Sequence, residues 1–166
     1  MLHSTRLSSV SSFVRQIAAM RLARKYGPDF LDTKVVSYFT EGTEFAYIDG
    51  AAKARWGQVT IRHALNMMTG MGPTGYDPNW ATDSANTYQW SYSYALKDQI
   101  RYYFNQSPNP DVTGPGQKMA YIDQDMWIAT LCMQRFLQSK EGSDATILDM
   151  LETEVYGPIG APHFVS

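Results

Sequence analysis

A chain of 166 residues with 44% hydrophobic and 18% charged side chains can bury a real core, which excludes a disordered polymer and points to one domain. Its formal net charge of -2 gives a nucleic acid or an anionic membrane no electrostatic support as a partner. The single cysteine, Cys132, excludes an intrachain disulfide and a cysteine-built metal site, and no run of about 18 apolar residues offers a transmembrane helix.

Ser4, Thr5, Arg6, Ser8 and Ser9 interrupt any apolar region near the start, so no signal peptide is expected and the chain, read literally, is cytosolic. A helix is predicted from about Ser8 to Tyr26, with Val10, Phe13, Val14, Ile17 and Ala18 as its buried stripe. Arg21, Arg24 and Lys25 suit its carbonyl end, and Gly27-Pro28 stops it. Ser9, Ser12 and Gln16 share one face. Asp32 is expected to cap a helical turn through Val35, Val36 and Phe39. Thr40 to Gly57, punctuated by Gly42, Gly50 and Gly57, is read as loop with a short strand at Phe45-Ala46-Tyr47-Ile48.

Thr60 is a good N-cap for a second helix carrying Ile61, Ala64, Leu65 and Met68, expected to end at Gly70 and Gly72. Met71 to Asp111 mixes Pro, Gly, Asn and Asp with aromatics, and about Ser91 to Phe104 is predicted helical. Those aromatics are read chiefly as packing, with a cleft wall as the functional alternative. A helix is predicted from about Asp123 to Ser139, with Met126, Ala129, Met133, Phe136 and Leu137 inward. The last helix, opened by Ser143, carries Ile147, Leu148, Leu151 and Val155 and stops at Gly157-Pro158. The sum is a mainly α chain.

Taken singly, the chemical signals are modest. A serine at a helix start is usually a cap. Cys132 falls in an apolar helical pattern and reads as core. His3, His63 and His163 lack metal-ligand spacing, and Asp29, Asp32 and Asp49 read as turn and cap residues.

Order and flanking sequence add more. Ser9-Val10-Ser11-Ser12-Phe13, running on to Ala19-Met20-Arg21-Leu22, resembles the active-site helix of the serine β-lactamase and penicillin-binding-protein superfamily, in its class C β-lactamase, esterase and D-aminopeptidase branch. Val59-Thr60-Ile61-Arg62-His63-Ala64-Leu65-Asn66-Met67-Met68-Thr69-Gly70-Met71 is similar to that family's Thr-Ile-Arg-His-Leu-Leu-x-x-x-Ser-Gly-Leu segment and is the most specific match. Pro115-Gly116-Gln117-Lys118-Met119-Ala120-Tyr121-Ile122-Asp123 resembles Pro-Gly followed by Tyr-x-Asn, and Pro158-Ile159-Gly160-Ala161 resembles Pro-Leu-Gly-Met. The matches come in family order.

The resemblance implies acyl transfer through an acyl-serine, on an amide, ester or β-lactam bond of a small-molecule or peptide substrate, with no cofactor and no metal. Ser9 would be the nucleophile, Tyr121 the base and proton relay, and Asp123 the substrate-orienting group. The Ser9 amide would supply half of an oxyanion hole. Two substitutions depart from the pattern. Ser12 stands where Ser-x-x-Lys places its lysine, and a hydroxyl supplies neither cation nor base near neutral pH. Without an ammonium beside it, Tyr121 stays a neutral phenol. Asp123 replaces asparagine and, while ionised, accepts hydrogen bonds without donating.

Residues 1–166 are therefore expected to form a single partial domain, the helical lobe of the α/β β-lactamase/transpeptidase-like fold, with most of the sheet and the Lys-Thr-Gly or His-x-Gly motif missing. The rival expectation is a non-catalytic relative or fragment that binds a peptide or glycan, or serves as a structural module. Compartment and oligomeric state stay open, since the family is often periplasmic or secreted and also cytoplasmic.

Overall fold

The computed structural model of the chain describes residues 8–47, 49–71, 95–106, 108–120 and 123–160; the side chains of residues 8–12, 102 and 123 lie outside that description. The described residues are mainly helical. They contain isolated β-bridges, Lys34 with Thr60, Glu41 with Phe45 and Met71 with Pro108, and no sheet.

Helix α1 spans Ser8–Tyr26, as its stop signal predicts. Its buried face is Ala18, Ala19 and Leu22, with Val14 and Ile17 partly covered. Phe13 departs from the expected stripe and is 68% exposed. Five positions before Ala18, it lies well round a helix with 3.6 residues per turn. Two 3₁₀ turns follow, Pro28–Asp32 and Val35–Tyr38. Asp32 does not cap the second turn, whose N-cap is Lys34 without a side-chain bond. The Asp32 carboxylate faces Arg62 instead, accepting from Nε at 2.8 Å and Nη2 at 2.9 Å.

The region expected to be loop contains helix α2, Gly50–Trp56, opened by Asp49, whose carboxylate accepts from the Ala52 amide at 2.7 Å. The alanines of Gly-Ala-Ala-Lys-Ala-Arg-Trp favour a helix more than the flanking glycines oppose it. The expected strand is absent from Phe45 to Tyr47. Phe45 makes only the bridge to Glu41, and Ile48 lies outside the described residues.

Helix α3, Ile61–Leu65, is shorter than its apolar pattern suggests. Met67 takes a left-handed φ of 53°, and the Met68 amide closes the end on the His63 carbonyl at 2.8 Å. Helix α4 is Leu96–Phe104, and α5 is Asp123–Glu141. Helix α6, Ile147–Leu151, is capped by Thr146 rather than opened at Ser143; a π-type turn, Glu152–Tyr156, continues it. Met150 takes the buried place expected of Leu148, which is 64% exposed.

Helix α5 is the hub, touching α1, α3, α4, α6 and the Val35–Tyr38 turn. Its inner face, Met126, Ala129, Cys132, Met133 and Leu137, is fully buried. Cys132 is a free, buried thiol, and burial pushes its pKa up. Trp56, Tyr103, Phe104, Phe39 and Phe45 form an aromatic cluster beside it, with Phe45 stacked on Phe104 at 4.1 Å. Tyr103 and Phe104 thus pack the core, as read for the aromatics, while residues 72–94 lie outside the description. Arg135 of α5 reaches across to Glu44 at 2.6 Å and stacks over the Phe39 ring at 4.4 Å.

Helices α1 and α5 are joined at their C-terminal ends. Lys25 pairs with Glu141 and with Glu154, each at 2.7 Å, and Arg21 pairs with Glu154. Tyr26 packs edge-on against Phe136 at 5.6 Å and donates its hydroxyl to Glu141.

Candidate functional site

Ser9 and Ser12 stand in the opening turns of α1, and Asp123 is the first residue of α5. The side chains of these three, and the whole of Tyr121, lie outside the described residues. The described residues include the 59–71 segment, the 108–120 segment, which precedes Tyr121 in sequence, and the first turn of α5, which Asp123 opens.

The 59–71 segment is built from its cap outward. The Thr60 hydroxyl accepts from the His63 amide at 3.3 Å, and His63 Nδ1 accepts from the Thr60 amide at 3.2 Å. This capping box satisfies two helix-end donors at once. It requires an unprotonated Nδ1, and burial, followed by the positive charge of Lys34, holds the His63 pKa below the usual imidazole value. His63 is therefore structural, as its sequence context suggests.

The 108–120 segment lies along the end of that unit. The Gly116 amide donates to Met68 O at 2.7 Å, the Ala120 amide to Met67 O at 2.9 Å and the Asn109 amide to Gly70 O at 2.9 Å. Gly116 has φ 85°, and a Cβ there would meet His63 Nε2 at 3.1 Å. Both the backbone angle and the histidine select glycine. Arg55 of α2 fastens the same junction, donating from Nη1 to Gly70 O at 3.0 Å and from Nη2 to Val112 O at 2.8 Å. At Gly70, with φ 69°, a Cβ would come within 2.6 Å of that guanidinium.

The first turn of α5 is tied to the 59–71 segment and to α4 through Asp125. Its buried carboxylate accepts from the Thr69 hydroxyl at 2.9 Å and from the Tyr103 hydroxyl at 3.3 Å. The Met71 amide in turn donates to Thr69 Oγ1 at 3.2 Å. Burial raises the Asp125 pKa to about 7, against the lowering effect of the Thr69 and Tyr103 donors. Tyr103 is itself pushed well above the usual phenol value, by burial first and by the Asp125 charge second.

Sequence reasoning missed Arg55 and Asp125, and read Tyr103 only as one of the packing aromatics. Asp125 carries a readable signal: a carboxylate one turn into an apolar helix, next to Met126, seldom lies inside without partners. Arg55 carries none, because its two acceptors are backbone carbonyls from distant segments.

Among the described residues, no group of His, Cys, Asp and Glu could hold a metal ion, and no helix is long and apolar enough to cross a membrane. No protein-family model, curated protein or solved structure matches the chain.

Proposed function

We propose that this chain is the helical lobe of a β-lactamase-related serine hydrolase, in which Ser9 takes an acyl group from an amide, ester or β-lactam carbonyl. One observation supports the reading best. The two segments most similar to that family, 59–71 and 115–123, are distant in sequence, yet 116–120 lies hydrogen-bonded along 67–68, through Gly116 to Met68 and Ala120 to Met67. A chance resemblance has no need to bring its two matching stretches together.

The helix joint adds to this. Helices α1 and α5 are each 19 residues long, about 28 Å at 1.5 Å per residue. Their C-terminal ends are clamped together by Lys25, Tyr26 and Glu141. The opening turns of both helices lie at the ends away from that clamp. Ser9 and Asp123 belong to those turns, and Tyr121 precedes the second.

The chemistry follows from the residue types. Ser9 attacks the carbonyl, its own amide receives the developing oxyanion, and the small phenolate fraction of Tyr121 takes the serine proton and passes it to the leaving nitrogen or oxygen as the carbonyl–heteroatom bond breaks; water then releases the acyl group from Ser9. Asp123 orients an N–H of the substrate. The step needs neither metal nor cofactor. Ser12 supplies no positive charge to lower the Tyr121 pKa, so Ser9 is a slow nucleophile. That same residue favours a second reading, a non-catalytic relative that binds a peptide or glycan.

The test is labelling by a fluorescent penicillin and by a fluorophosphonate. The hydrolase reading expects slow labelling that Ser9→Ala abolishes. Labelling that persists in Ser9→Ala, or none in either protein, favours the non-catalytic reading.

A further inference from the structure

Three side chains from separate parts of the chain meet at Asp125. Thr69 comes from the segment after α3, Tyr103 from α4, and Asp125 from the first turn of α5. All three are buried. We infer that Asp125 is a positioning residue: its carboxyl ties Thr69 and Tyr103 to the opening turn of α5 and so fixes the start of that helix, where the backbone of Asp123 lies. The tie itself is independent of the hydrolase reading; only its consequence for Asp123 rests on it.

The geometry makes the tie sensitive to a proton. Among the described residues, the groups around Asp125 are few. From α4 comes the Tyr103 phenol, and beyond it on α5 lies the Cys132 thiol, both held neutral by burial. From the 66–71 segment comes the Thr69 hydroxyl. From α2 the Arg55 guanidinium reaches the neighbouring Gly70 carbonyl, not the carboxylate. No described cation is hydrogen-bonded or ion-paired to Asp125. Its ionised form thus rests on neutral donors, the Thr69 hydroxyl and backbone and the Tyr103 hydroxyl, in a buried setting, and burial carries its pKa to about 7. An acid with a raised folded pKa contributes full stability below its unfolded value, and that contribution is lost as pH rises through the folded one. The latch is firm near pH 5 and loosens toward pH 8.

Hydrogen exchange of the full chain, read by mass spectrometry between pH 5.5 and 8 and corrected for intrinsic exchange, tests this. In the wild type, protection of 66–71 and of the first turn of α5 should fall by about tenfold or more over that range. The joint between Tyr26 and Glu141 should show a much smaller change, and Asp125→Asn should flatten the profile of 66–71. A uniform fall across all peptides, or parallel profiles in wild type and Asp125→Asn, overturns the proposal. If Asp125→Asn does not fold, the contrast between 66–71 and the α1–α5 joint within the wild type decides alone. Exchange reads the latch without acylation, so failed Ser9 labelling and a failed latch are separate results.

Discussion

Arg55 donates to the carbonyls of Gly70 at 3.0 Å and Val112 at 2.8 Å, and its side chain is buried between them. It is a cation used as a backbone fastener, joining α2 to the 59–71 and 108–120 segments. Arg55→Met keeps much of the apolar stem and leaves two carbonyls without their donor. The expected loss is about 3 kcal/mol of unfolding free energy, read by urea denaturation. A loss below about 0.5 kcal/mol, the size of an ordinary surface change, contradicts the fastener role.

Gly116 should tolerate alanine less well than Gly142 does. Both have positive φ, 85° and 105°, but a Cβ at Gly142 enters open space while one at Gly116 meets His63. Gly142→Ala should cost about 1 kcal/mol from backbone strain, and Gly116→Ala about 2–3 kcal/mol from strain and crowding together. Equal costs in thermal melts would show that the His63 approach has no energetic weight.

His63 makes the capping box depend on pH. Its pKa is lowered, chiefly by burial, so its folded form resists protonation. Such a base contributes stability above its unfolded value of about 6.5 and loses it as pH falls through the lower folded value. Asp125 has the opposite slope, so the two must be separated by substitution. His63→Gln retains a side chain able to accept from the Thr60 amide and does not titrate. The wild type should lose more Tm than His63→Gln between pH 7 and pH 5. Parallel curves would exclude the imidazole as the cause.

Much of this fold is legible before any coordinates. Helix α1 ends where Gly27-Pro28 says it must, Thr60 caps α3, and the inward stripe of α5 is the one its periodicity marks except at Phe136, which is only partly buried. Long helices declare themselves because one face repeats many times. Helix α2 is hidden because seven residues between glycines give no period to read. The end of α3 is hidden because a methionine, Met67, takes the left-handed turn usually left to glycine. Of the site, the sequence supplies residue types and order: Ser9, Ser12, Tyr121 and Asp123. It cannot supply the Arg55 and Asp125 ties, which exist only once residues 55, 69, 103 and 125 are brought together by packing.

The central claim is that Ser9 is an acyl-accepting serine whose activation is limited by Ser12. The most direct measurement is the rate of fluorophosphonate labelling in the wild type, Ser12→Lys and Ser12→Lys/Ser9→Ala, with the adduct located by peptide mass spectrometry. A restored ammonium one turn from Ser9 supports a general base worth about a hundredfold or more in rate. The account predicts faster labelling of the Ser9 peptide in Ser12→Lys, abolished in the double variant. A Ser12→Lys protein that folds and labels no faster than the wild type, or labels away from Ser9, would contradict it.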